Sequence, residues 1–256
     1  MRRNLSKTLI LLFSSLVLGL FISSFARAGD RALLNVIGYS YDGRYFSFEE
    51  YGVQDGSGFS YSSIYIVDLN DDSWVTGTPI RVVEEYDEAT YEVEPIDYGK
   101  NMQKVRKIAF EKAQARLEGL NINTPAQVLA FIGDGEVNDI EGLSLEFNLP
   151  GYSGGIRSED ITVSLEIYKT NSALDCEFFE PPMGFLVKLK SELMIKEVYR
   201  DEVLPRSRAC PITYKIAGIY APFEALDLTK AVAIISVYSF GYEGRDRRFV
   251  AIPIGE

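Results

Sequence analysis

The sequence predicts a mainly β chain of antiparallel sheets, propeller-like or sandwich-like, with one amphipathic helix near residues 101–118. Three observations carry that expectation. Alternating runs recur, such as Leu143, Leu145, Phe147, Leu149 and Ile161, Val163, Leu165, Ile167. A period of two means strands with one dry face and one wet one. Turn chemistry punctuates these runs at Asp42-Gly43, Asn70-Asp71-Asp72, Pro181-Pro182 and Pro205. One stretch instead has helical spacing: Met102, Val105, Ile108, Ala109, Ala113 and Leu117 share a face, and Lys104, Arg106, Lys107, Glu111 and Lys112 take the other.

The elements follow in order. Arg2, Arg3 and Lys7 make a basic start, an apolar run covers residues 9–22, and Ala26-Arg27-Ala28 is a small-x-small site. That order predicts a signal peptide over residues 1–28, cut after Ala28. The run is short of the roughly 20 residues that span a bilayer. Residues 29–256 are then expected to form a single mainly β secreted domain, periplasmic or extracellular, without a membrane span. Its first strands are predicted at 33–37, 45–51, 64–69 and 79–83, with a Gly/Ser/Asp loop over 52–60 and an acidic exposed loop over 86–97. The helix follows, with Gly119 as its C′ residue. Later strands are predicted at 143–149, 161–167 (joined by a Gly-rich turn at 151–155), 185–189, 214–219, 232–238 and 249–254.

Composition removes whole classes of chemistry. The chain has no histidine, so Ser-His-Asp and Cys-His catalysis, imidazole bases and His-ligated metals are excluded. The net charge is −11, and loss of the four Lys/Arg of residues 1–28 takes it to −15. Such a chain repels nucleic acid and anionic headgroups, so no nucleic-acid partner is expected. In an oxidising compartment the two cysteines, Cys176 and Cys210, are most simply a disulfide; free buried thiols or an intermolecular bond are the alternatives.

Candidate sites are few. Asp68-Leu69-Asn70-Asp71-Asp72 places oxygens at alternate positions, as a calcium loop does, but Ser73 stands where the loop glycine belongs and no closing Glu follows. A plain acidic turn is the simpler reading, and no metal or cofactor is expected. Tyr51-Gly52-Val53-Gln54-Asp55-Gly56 and Phe240-Gly241-Tyr242-Glu243-Gly244 echo each other between strands. If the two hairpins lie side by side, Glu49, Glu50, Tyr51, Asp55, Tyr61, Tyr242, Glu243 and Asp246 gather into a ligand-binding surface. Paired carboxylates about 5–10 Å apart hydrolyse glycosides; carboxylates flanked by Tyr also simply bind sugars or peptides. No G-x-S-x-G elbow exists, and no catalytic residue is assigned.

Two resemblances rest on these residues. Tyr39-Ser40-Tyr41-Asp42-Gly43-Arg44-Tyr45, then Phe48-Glu49 and Ile64-Tyr65-Ile66-Val67-Asp68-Leu69, look like one blade of a TolB-type β-propeller over residues 39–69. The stretch 42–74, with Glu49-Glu50-Tyr51-Gly52-Val53-Gln54-Asp55-Gly56-Ser57-Gly58, and residues 238–244 are similar to a bacterial family of predicted secreted proteins of unknown function (domain of unknown function 2259). That resemblance implies secretion and brings no catalytic residues. The expected function is a non-enzymatic binding or scaffolding module that meets an envelope protein or polysaccharide. A carboxylate-dependent glycoside hydrolase is the alternative.

Overall fold

A computed structural model describes residues 29–85, 97–132, 142–149, 160–176, 181–192, 194–242 and 244–255. The leader, most of the acidic loop, the Gly-rich turn at 151–155 and Glu243 lie outside the described residues. The expected class holds: the described residues form antiparallel sheets and one α-helix.

The first sheet is a meander, β1 (Leu33–Ser40), β2 (Tyr45–Val53) and β3 (Ser60–Asp68), extended by β4 (Ser73–Trp74), β5 (Ile80–Val83) and β6 (Ile122–Thr124). Helix α1 (Tyr98–Gly119) precedes β6 and lays Val105, Ala109, Ala113 and Leu117 on Ile64, Ile66 and Val82. The Asp97 carboxylate caps its start by accepting from the Lys100 N–H at 3.0 Å. The second sheet runs β16 (Arg245–Pro253), β15 (Val232–Phe240), β14 (Pro211–Pro222) and β7 (Ala126–Phe131). The third runs β12 (Ile195–Arg200), β11 (Met183–Lys190), β9 (Asp160–Lys169) and β8 (Ser144–Asn148). A short parallel pair, β10 (Asn171–Ser172) and β13 (Val203–Leu204), forms a small sheet of its own.

The layers stack as helix, first sheet, second sheet, third sheet, and strand parity shows why. In β15, Val232 and Ile234 join Phe46, Phe48 and Tyr39 of the first sheet. Their neighbours Ala233, Ile235 and Val237 join Val163, Phe185 and Val187 of the third. The unbroken apolar run of β15 is therefore a strand dry on both faces. The blade-like residues 39–69 do form a three-stranded meander, but their sheet packs flat on its neighbour in a sandwich-like stack.

Several boundaries differ from the sequence reading. β1 continues through Ser40, because a bulge at Val36/Gly38, with Gly38 at φ 143°, interrupts its alternation. β2 runs through Val53 and β3 begins at Ser60, so the expected 52–60 loop shrinks to residues 54–59. Gly119 closes the helix; the left-handed residue is Asn121, φ 52°. Cys176 and Cys210 are joined in a disulfide.

Candidate functional site

Residues 49–51 show what a strand does to adjacent side chains. Glu49 and Glu50 are both buried, yet they point to opposite faces of the first sheet. Glu49 faces the helix. Arg106 grips it through two hydrogen bonds, Nε to Oε1 at 2.9 Å and Nη2 to Oε2 at 2.8 Å. Ser62 Oγ and Asn35 Nδ2 donate to the same carboxylate at 2.9 and 3.0 Å. Tyr51, on the same face, lies under the Arg106 guanidinium, 3.8 Å from ring centroid to carbon. This group anchors α1 to the sheet.

Glu50 faces the second sheet. It accepts from the Phe249 N–H and, at 3.0 Å, from the Tyr65 hydroxyl. Burial pushes its carboxyl up to about 7, against the opposing pull of the Phe249 N–H, the Arg248 charge and Tyr65. Tyr61 is buried beside it and donates to Asp30 Oδ1 at 2.8 Å. Burial also pushes the Tyr61 and Tyr65 phenols up. Asp30 is ion-paired with Arg248, and its N–H donates to Asp246 Oδ1 at 2.8 Å.

The two echoing hairpins belong to different sheets and come near each other. Burial raises the Asp246 carboxyl, and the charges of Asp30 and Asp55 add to that rise. Tyr242 stands apart, 86 % exposed at the hairpin tip. Of the eight expected residues, the structure thus gathers Glu50, Tyr61 and Asp246 around Asp30 and Arg248, with Asp55 acting on Asp246; it turns Glu49 and Tyr51 to the opposite face and leaves Tyr242 in solvent, and Glu243 lies outside the described residues. Glu49 and Glu50 cannot face each other across a cleft. The Asp68 turn is likewise committed, since Arg44 pairs with Asp68 at 2.6 Å and holds its carboxyl below the usual range.

Beyond this cluster opens a cleft of about 530 Å³ where the three sheets meet. One wall is Tyr65, Asp72, Trp74 and Arg81 of the first sheet; another is Asp246 and Arg248 of β16; the third is Tyr199 and the turn at Arg206–Arg208. Its aromatic wall continues the core: Phe48 stacks on Tyr65 at 4.8 Å, and Tyr65 meets the Trp74 ring edge-on at 5.2 Å. Arg208 lies over the Phe185 ring at 5.3 Å, its Nη2 donates to the Tyr199 hydroxyl at 3.3 Å, and its Nη1 is 3.6 Å from Asp201. Asp201 in turn accepts from the Tyr199 hydroxyl at 2.6 Å and the Phe185 N–H at 3.1 Å.

Sequence reasoning missed Asp30, Arg81, Arg208 and Arg248. One signal was present: Arg245, Arg247 and Arg248 crowd into four positions of an otherwise acidic chain.

Residues 47–255 match the family described as predicted secreted protein (DUF2259). The chain belongs to this family. The matched stretch covers nearly every strand above, from within β2 to the end of β16, and the family description makes the protein a predicted secreted one. No curated protein and no solved structure matches the chain. Among the described residues, no helix is long and apolar enough to cross a membrane.

Proposed function

We propose that this family member is exported with its leader removed after Ala28, works in the periplasm or outside the cell, and acts as a non-enzymatic binding module whose cleft holds an envelope polysaccharide. The observation that carries this reading is the cleft's lining. Rings of Tyr65, Trp74 and Tyr199 alternate there with Arg81, Arg208, Arg248, Asp72 and Asp246. Ring faces accept the apolar C–H face of a sugar, and fixed forks of charged donors and acceptors suit pairs of hydroxyls. The volume lies within the range of ordinary ligand pockets, roughly 300–1,000 Å³.

Binding is favoured over hydrolysis by Glu49 and Glu50 because of where the two acids lie. Hydrolysis needs two carboxyls facing each other across the bond to be cut. Glu49 is spent on Arg106, and Glu50 is sealed beneath Tyr65 and Phe249.

Trp74 is the only tryptophan of the chain and is 39 % exposed on the cleft wall, so intrinsic fluorescence reads the cleft directly. Titration of the exported protein with envelope polysaccharide fractions is expected to change the emission saturably. Trp74→Ala, with binding followed by calorimetry, is expected to weaken affinity about tenfold, the worth of one good stacking contact. Emission that no fraction changes would sink the proposal.

A further inference from the structure

The first described residues take part in the fold. Residues 29–32 lie along the outer edge of β16 as a parallel bridge, Arg31 against Arg247. The Arg247 N–H donates to Asp30 O at 2.8 Å and the Ala32 N–H to Arg247 O at 3.2 Å. The Arg247 side chain donates twice to Ala32 O, at 3.1 and 2.7 Å. Asp30 then ties the two large sheets together, accepting from Tyr61 of β3 and pairing with Arg248 of β16. Gly29 sits tightly against the turn: a Cβ there would lie 2.6 Å from the Arg245 carbonyl oxygen and 3.2 Å from its nitrogen. Only glycine fits, directly beside Asp246.

The Gly29 nitrogen is one residue, about 3.6 Å of chain at most, from the Asp30 N–H that donates to Asp246 Oδ1. An amide there has one donor and no charge. A free α-ammonium has three donors and a full positive charge. On one side of the balance stand Asp30 and Asp246, with Asp55 acting on Asp246, and on the other Arg31, Arg245 and Arg248. Arg248 is already taken by Asp30, and burial raises the Asp246 carboxyl, the Asp30 and Asp55 charges adding to the rise, so a cation seated there has an undersupplied partner. We infer that removal of the leader after Ala28 creates a ligand for this site, the Gly29 α-ammonium, which seats on the Asp246 carboxylate and completes the clasp between the sheets. The inference rests on the export reading and is independent of what the cleft binds.

The test uses the full chain, exported by a bacterial host grown with ¹³C-glycine. Mass spectrometry of the purified product is expected to show Gly29 first. NMR titration of the Gly29 α-carbon is expected to place the amine above about 9, against an ordinary value near 8. Asp246→Asn keeps an acceptor for the Asp30 N–H and is expected to return the amine to about 8 with the fold intact by circular dichroism. A product that begins elsewhere overturns the cut. An amine near 8 that Asp246→Asn leaves unchanged overturns the seat. A wrong first residue overturns the export reading together with the seat, an unshifted amine overturns the seat alone, and polysaccharide binding is decided separately by the Trp74 titration of the unsubstituted protein.

Discussion

Between pH 4.5 and about 7 the Glu50 carboxyl is ionised in an unfolded chain and protonated in the folded one. The folded state therefore holds a proton that the unfolded state has released, and stability falls as pH rises through that window. Below the unfolded value both states are protonated and the penalty vanishes; above about 7 it is constant, on the order of 3 kcal/mol. Glu50→Gln keeps an oxygen for the Phe249 N–H and an amide for the Tyr65 oxygen, and carries no charge. Urea unfolding at pH 8 is expected to show the variant more stable than the parent, with little difference at pH 4. A variant equally unstable at both would show that the carboxyl's contacts outweigh its charge. Glu49 differs in having a direct cationic partner, the Arg106 guanidinium. Removing its partner through Arg106→Ala leaves a buried carboxylate with only Ser62 and Asn35, and is expected to cost about 3 kcal/mol in the same assay. A loss under 1 kcal/mol would mean that water replaces the guanidinium.

At the scale of elements, the disulfide and the cleft are one problem. Cys210 follows the turn at Arg206–Arg208 that forms the third wall, and Cys176 follows β10. The bond closes a loop of 34 residues' separation, for which chain entropy gives about 3–4 kcal/mol. The paired Cys176→Ser and Cys210→Ser variant is expected to lose stability of that order and also to bind polysaccharide more weakly, since Arg208 and Tyr199 lose their tether. Thermal melting and the Trp74 titration together check both. Elements announced by one dry face were legible in the sequence: β9 shows Ile161, Val163 and Leu165 at period two, and α1 shows its stripe. β3 was half hidden, because Ser60, Ser62 and Ser63 are buried yet polar; Ser62 is inside only because Glu49 needs its hydroxyl. β7 was missed because its apolar residues do not alternate and none of its six residues is fully buried, Val128 and Phe131 being exposed. The candidate site was less legible still. Neighbouring Glu49 and Glu50 were expected on one surface, yet strand alternation parts them, and the Phe249 N–H that Glu50 accepts from comes from β16, about 200 residues later.

For the molecule as a whole, the second sheet decides how the layers stand or fall together. Its strands give one face to the core shared with Phe46, Phe48 and Tyr61, and the other to the core shared with Phe185, Val187 and Val163. Neither core can lose its apolar contacts without stripping a face of the same strands. Asp30 and Glu50 add polar ties across the first interface, and Tyr214, donating to Met183 O at 2.7 Å, adds one across the second. Residues 29–256 should accordingly unfold in one cooperative step, as a single domain does. Scanning calorimetry is expected to give one peak whose calorimetric and van't Hoff enthalpies agree. The substitutions that probe this are Ile234→Ala, which hollows the first core, and Ile235→Ala, which hollows the second. Each removes a fully buried side chain and should cost about 2–5 kcal/mol. Because the two residues are neighbours on one strand, both variants should shift the whole peak downward. Two separate peaks, with Ile234→Ala moving only one and Ile235→Ala only the other, would show that the layers melt independently and that the chain is two domains sharing a sheet.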